Sequence, residues 1–487
     1  VAVRSLAPAS GSSKGLVPVA ATRAGSYAPS LSESKGEECS CCAESAIPSM
    51  ILSLRGKMSQ AQARGVPLRR LAAAAFVLGM VQGLGSVVRD CALTCHVGYR
   101  HAPMAFLIVA ALSLPFVALQ IRMQKRWGQE TWRVRSTLLI ALSLLLFRFV
   151  LSLLRGESGP VGTGSIVSYV GFFVWVDVAF MLLGAQLFSL LQGDESETDR
   201  GLTVFAASVY AGGLFGGLIT SAANRVLIER WLLPMDVARD HLMVPMALTL
   251  LLLIPIARAD DPRPLKQVGT EIPSSQVGGG FADALRVLTG DAQARSVTAA
   301  FVLAAASGIC LESLFYWILT LNASGGTGFV QLLASLSIWM NGASLVLAAG
   351  GSSRIIRHLG LASSVLAVPA CLLLGSGYLL LAAALTVMLI MRVLKDSLSG
   401  GLYEPASERL LVRLQGARYG EQRPIFEVAS RIGTGLGALV VLVLTLLFKV
   451  SVQVMVGVVI AVHLFWLLSL IPLAQRVRRN GSVTPSS

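Results

Sequence analysis

Two carboxylates stand inside long apolar runs, Asp177 in "FFVWVDVAF" and Glu312 in "GICLESLFYW". An ionised side chain in hydrocarbon costs several kcal/mol unless it is paired or meets water, so each such residue is a candidate for function. Asp177 is too short to reach an interface. Glu312 either pairs with a cation or keeps its proton at neutral pH. Arg148, in "LLLFRFVL", is long enough to snorkel toward an interface or to line a cavity. Arg89 and Asp90 close the first apolar run. They neutralise each other as neighbours, or Arg89 reaches across to Glu312. Asn341 is a neutral polar group in a later run, as are Gln82, Gln186 and His463. For all of these the competing reading is structural, a hydrogen bond to a neighbouring helix. Arg392, Lys395 and Asp396 end another run, and Glu427 and Arg431 open the next, one helical turn apart. Those five read as a gate or a surface anchor.

The elements that must hold these residues follow from composition. The chain has 487 residues, 54% hydrophobic and 14% charged, with a mean hydropathy of +0.70. Soluble domains carry about 25% charge, so this is an all-α polytopic membrane protein. Twelve apolar stretches match a helix crossing about 30 Å of hydrocarbon. They are 71–92, 103–121, 135–154, 165–191, 202–223, 241–257, 296–319, 328–349, 359–375, 378–399, 425–447 and 451–473. "GSGY", Gly375 to Tyr378, is read as a tight turn between the ninth and tenth. The chain divides into a disordered cytoplasmic tail at 1–65, a six-helix bundle at 66–257, a cytoplasmic linker at 258–295, a second six-helix bundle at 296–475 and a tail at 476–487.

The net charge of +14 sits at span ends. Lys and Arg cluster before span 1, in alternate loops and after span 12, which puts both termini in the cytoplasm. The loop at 224–240 breaks that pattern and reads as an amphipathic surface helix. "ASERLLVRLQGARYGEQRP" after span 10 reads as another, on the cytoplasmic face. No basic patch carries interleaved aromatics, so nucleic acid is set aside. No GxxxxGK[ST] loop marks an ATP-hydrolysing engine, and with five His in the chain a membrane-embedded enzyme has too few clustered ligands. "CALTCH" hints at metal but has no second ligand pair, so no cofactor is expected.

The halves resemble each other. "GGLFGG" in span 5 and "GTGLG" in span 11 match Gly213 with Gly433 and Gly217 with Gly437 at an offset of 220. Glycines at i, i+4 let two helices approach closely. Two parallel six-helix repeats resemble the major facilitator superfamily, and "SSRIIRHLG" after span 8 is similar to that superfamily's loop motif, with Ser353 where an acid belongs. "SVVRDCALTCHVGYRHAPMAFLIVAAL", "DRGLTVFAASVYAGGLFGGLI" and "LYEPASERLLVRLQGARYGEQRPIFEVASRIGTGLG" resemble bacterial relatives of the ATP/ADP translocases, nucleotide transporters of plastids and intracellular parasites. That family uses lysines and glutamates within its spans; here almost no lysine lies within a span.

The resemblance implies a monomeric secondary transporter or antiporter in a bacterial inner membrane. It would move a small solute, anionic or nucleotide-like, by alternating access. Asp177 and Glu312 would suit proton coupling. The alternative is a non-transporting scaffold or sensor that keeps the fold.

Overall fold

A computed structural model describes residues 68–154, 163–188, 195–230, 240–258, 292–322, 328–382, 384–415 and 419–481. These form α1 (Leu68–Ala92), α2 (Ala102–Trp127), α3 (Gln129–Leu154), α4 (Thr163–Phe188), α5 (Glu195–Arg225), α6 (Met243–Leu251, then Leu253–Arg258), α7 (Ala292–Asn322), α8 (Gly328–Val346), α9 (Leu361–Leu381), α10 (Leu385–Leu398), α11 (Tyr419–Leu442) and α12 (Val452–Gly481). Ten helices among the described residues are long and apolar enough to cross a bilayer. The other two are α6, broken at Leu252, and α10, which carries Arg392, Lys395 and Asp396. In hydrocarbon every backbone N–H and C=O must be satisfied within the segment, and that makes these runs helices.

The lipid-facing surfaces are apolar. Leu142, Leu146 and Phe149 of α3 are each about 60% exposed, and Trp339 of α8 is 71% exposed. Pro115, Pro369 and Pro472 sit inside α2, α9 and α12, as membrane helices tolerate when neighbours resatisfy the freed backbone.

Glycines position the helices against each other. Gly212 and Gly216 of α5 lie against the backbone of Phe76 and Met80 of α1, and Gly79 and Gly83 of α1 face Val209 and Gly213. In the second half Gly433 and Gly437 of α11 lie against Val302 and Ala306 of α7. The matching pairs are therefore Gly212 with Gly433 and Gly216 with Gly437, at an offset of 221. The offset of 220 read from sequence is one residue short, because Gly213 and Gly217 turn the other way, to Asn341 and Ile338 of α8. Contacts between halves follow the same pseudo-symmetry: α5 packs on α8, and α2 on α11.

The expected turn at Gly375–Tyr378 is not there. The helix runs through to Leu381, and the break falls at Ala382 and Ala384, with Ala384 extended. Gly375 admits the side chain of Met391 from α10, and Ser376 bonds the carbonyl of Leu372 and lies 3.1 Å from Nδ1 of the buried His463 on α12. "GSG" is a packing surface. Moving the break moves α10, so Arg392 lies seven residues after its start at Leu385, not at its far end.

The helix after α10 (Glu404–Gln415) continues directly from it through a π-turn at Ser399–Tyr403. The α5 helix also ends in a π-turn, Val226–Arg230. The remainder of that expected surface helix, residues 231–239 with Arg239, lies outside the described residues, as do the N-terminal tail, residues 482–487 and most of the 258–295 linker; residues 476–481, expected as tail, continue α12.

Candidate functional site

Arg89 is the hub. It lies near the end of α1, with its side chain 13% exposed. Its Nε donates to Asp90 Oδ1 at 2.8 Å, its Nη1 donates to Asp177 of α4, and its Nη2 stands 3.9 Å from Glu312 Oε1 on α7. Its guanidinium lies 4.8 Å from the ring centroid of Phe173, one turn before Asp177 on α4.

The second half builds the counterpart. Arg392 Nη2 donates to Glu312 Oε1 at 3.0 Å, and its Nε pairs with Asp396 Oδ2 at 3.0 Å. Lys395 Nζ is 2.8 Å from Asp396 Oδ1 and 3.8 Å from Glu312 Oε2. The Arg392 guanidinium lies 5.4 Å from the Phe315 ring. Tyr316 places its hydroxyl 3.5 Å from Glu312 Oε1. The two halves thus use the same pairing with charges reversed. In the first, the cation is on the first helix and an acid on the fourth. In the second, the acid is on the first helix, α7, and the cations on the fourth, α10.

Three cations (Arg89, Arg392, Lys395) meet four carboxylates (Asp90, Asp177, Glu312, Asp396). Desolvating one ion costs several kcal/mol, and only good pairing offsets it. Two atoms of the network are buried without a hydrogen-bond partner among the described residues, Arg392 Nη1 and Asp396 Oδ2, the latter 3.0 Å from Arg392 Nε. At the end of the bundle where α1 and α7 finish, aromatics bridge the halves. Tyr99 stacks on Trp317 with centroids 4.9 Å apart, and Phe106 of α2 faces Tyr316 at 6.2 Å.

The network brings together Arg89, Asp90, Asp177, Glu312, Arg392 and Lys395. Arg392 and Lys395, read from sequence as a gate or a surface anchor, both reach the Glu312 carboxylate, because the α9–α10 break lies closer to them than the glycines suggested. Arg148 stays apart, half-buried between exposed Leu145, Leu146 and Phe149 on α3. Asn341 donates to the carbonyl of Ser337 at 2.8 Å and its side chain meets Gly213 across the halves, so it packs rather than joins the ions. Arg431 is half-buried on α11, and the side chain of Glu427 lies outside the described residues. Sequence reading missed Phe173 and Phe315, although their one-turn spacing from Asp177 and Glu312 was available. It read Asp396, with Lys395, as part of a gate or a surface anchor and did not pair it with Arg392.

No protein-family model and no curated protein matches the chain. Solved structures do resemble it. A bacterial homologue of the iron transporter ferroportin in an inward-facing state superposes with a TM-score of 0.56 at 13% identity, over 84% of this chain and 98% of that one. A bacterial metal transporter gives 0.53 at 14% identity, over 85% and 100%. A bacterial homologue of the human lysosomal transporter Spinster gives 0.52 at 15%, over 86% and 98%. At such identities the likeness carries the fold alone: the major facilitator arrangement of twelve helices in two six-helix repeats.

Proposed function

We propose that this chain, with its major facilitator fold, is a secondary transporter that moves a small solute by alternating access, and that the ion network on α1, α4, α7 and α10 is its coupling site. The observation that carries this is Arg89, held by two acids of its own half and 3.9 Å from Glu312 of the other. Glu312 is shared between that reach and the closer Arg392. Such a contact can be made and broken as the halves rock, at modest cost either way. A scaffold has little use for it, since a well-packed apolar core is often as stable as a buried ion network or more so.

The charge count bears on the solute. In the second half two cations serve Glu312 and Asp396. In the first, one guanidinium serves both Asp90 and Asp177. The uncompensated carboxylate therefore lies on the Asp90–Asp177 side, and a proton or a cationic solute would balance it. The groups facing that pair are Arg89 on α1, Glu312 and Tyr316 on α7 and, beyond Glu312, Arg392, Lys395 and Asp396 on α10. One observation favours the second reading, an anionic or nucleotide-like solute exchanged as the translocase likeness implies. Arg392 Nη1 is buried without a hydrogen-bond acceptor among the described residues and could donate to an anion, though a larger anion would have to displace a carboxylate from an arginine.

Thermal stabilisation of the detergent-purified protein tests these readings, since a ligand at 100 times its Kd stabilises by about 2.7 kcal/mol. The panel holds nucleotides, phosphorylated metabolites, amino acids, sugars and inorganic cations, at pH 6 and pH 8. A pH-dependent or cationic hit lost in Asp177→Asn supports the first reading. A nucleotide hit lost in Arg392→Gln supports the second. A blank across the panel in folded protein returns the scaffold or sensor.

A further inference from the structure

We infer that Cys91 and Cys95 form a redox-active dithiol, which small disulfides convert into an intramolecular disulfide that clamps the turn following Arg89 and Asp90. The two sulfurs are 3.7 Å apart. Residues four apart on a helix are about one turn apart, a rise of about 6 Å at 1.5 Å per residue, within the roughly 4.4–6.8 Å between Cα atoms that disulfides span. Closing the sulfurs to about 2.0 Å needs side-chain rotation and a small backbone adjustment. The backbone there is suited to give. Past Ala92 the helix widens into a π-turn at Leu93–Val97, closed by the Gly98 N–H on the Leu93 carbonyl at 2.9 Å.

The two thiols differ as an attacking and a resolving pair must. Cys95 is exposed, and Cys91 is fully buried. Attack needs access and a thiolate. Cys95, deprotonated, attacks one sulfur of an external disulfide and releases one external thiol. Cys91 then gives up its proton and attacks the Cys95 sulfur of the mixed disulfide, releasing the second thiol. Two electrons pass from the cysteine pair to the external disulfide, and one S–S bond forms as another breaks. Cys310 on α7 and Cys371 on α9 have no cysteine a turn away.

The clamp would act on the ion network through the backbone. Thr94, inside the linked turn, donates from Oγ1 to the Asp90 carbonyl at 2.7 Å, and Asp90 holds Arg89. The basic-loop pattern puts this end of α1 away from the cytoplasm, where disulfides persist.

Trypsin provides the test. Cleavage after Arg89 and Arg100 releases Asp90–Arg100, which holds both cysteines and no other. The folded full-length protein in detergent is treated with oxidised glutathione, alkylated and digested. The expected peptide is lighter by two hydrogens and takes no alkyl group. It forms faster in folded protein than in protein denatured with dodecyl sulfate. In Cys91→Ser the Cys95–glutathione adduct accumulates; in Cys95→Ser residue 91 stays reduced and alkylates on denaturation. A peptide that takes two alkyl groups after oxidation, a stable glutathione adduct in the unmodified sequence, or equal rates folded and denatured would each overturn the inference. The readout is a peptide mass, so it stands whether or not the transport reading holds.

Discussion

Arg89 carries more of the site than any other side chain because it answers three carboxylates on two halves. Removing one partner of a buried ion network leaves charges unpaired, at about 3–5 kcal/mol. Arg89→Ala is therefore expected to lower the thermal unfolding midpoint by several degrees, read by tryptophan fluorescence in detergent. Adding Asp177→Asn should recover a large part of that loss, with a coupling energy of about 1–3 kcal/mol in a double-mutant cycle. Additive losses would mean the two residues do not act together. Arg148→Leu is the contrast. The residue lies among exposed leucines of α3, so its loss should leave any solute-induced stabilisation unchanged, and a lost shift would place it in the site after all.

At the scale of the element, small residues set where charged ones meet. A side chain on Gly212 would strike the carbonyl of Phe76, and one on Gly433 the backbone of Val302. Backbone cannot yield as a flexible side chain does. Gly212→Val and Gly433→Val are expected to force α1 from α5 and α7 from α11, seen as loss of a monodisperse peak on size exclusion. Gly457→Ala, with open space around it, should elute like the parent. If Gly212→Val is equally well behaved, the close α1–α5 approach is not what holds the first half together.

For the whole molecule, the prediction concerns the halves as bodies. Gln331 of α8 donates to Ser221 of α5 at 2.7 Å across the halves, whereas Gln186 of α4 donates to Ser136 of α3 at 2.9 Å within one half. Cysteines at 221 and 331, once oxidised, should abolish liposome uptake of the solute that the stabilisation panel identifies, and a reductant should restore it. Cysteines at 136 and 186 should leave uptake largely intact. Equal effects from the two pairs would argue against rocking of rigid halves.

Much of this molecule was legible in the residues themselves. Apolar runs of about 20 residues dictate helices because hydrocarbon offers the backbone no other partner, and the cost of a lone charge there singles out Asp177, Glu312 and Arg89 before any geometry is known. What one dimension could not carry was register. "GSGY" has the composition of a turn, but with Met391 seated on Gly375 and Ser376 tied back to Leu372 it is helix. That slip hid the closeness of Arg392, Lys395 and Asp396 to Glu312. The one-residue error between Gly212 and Gly213 has the same origin: adjacent glycines look alike in sequence, while a helix turns them about 100° apart, toward α1 in one case and α8 in the other. Sequence determined the span pattern and the principal buried charges of the first half and α7. Tertiary structure decided which charges meet, because pairing across helices depends on where each helix begins and which face it turns inward.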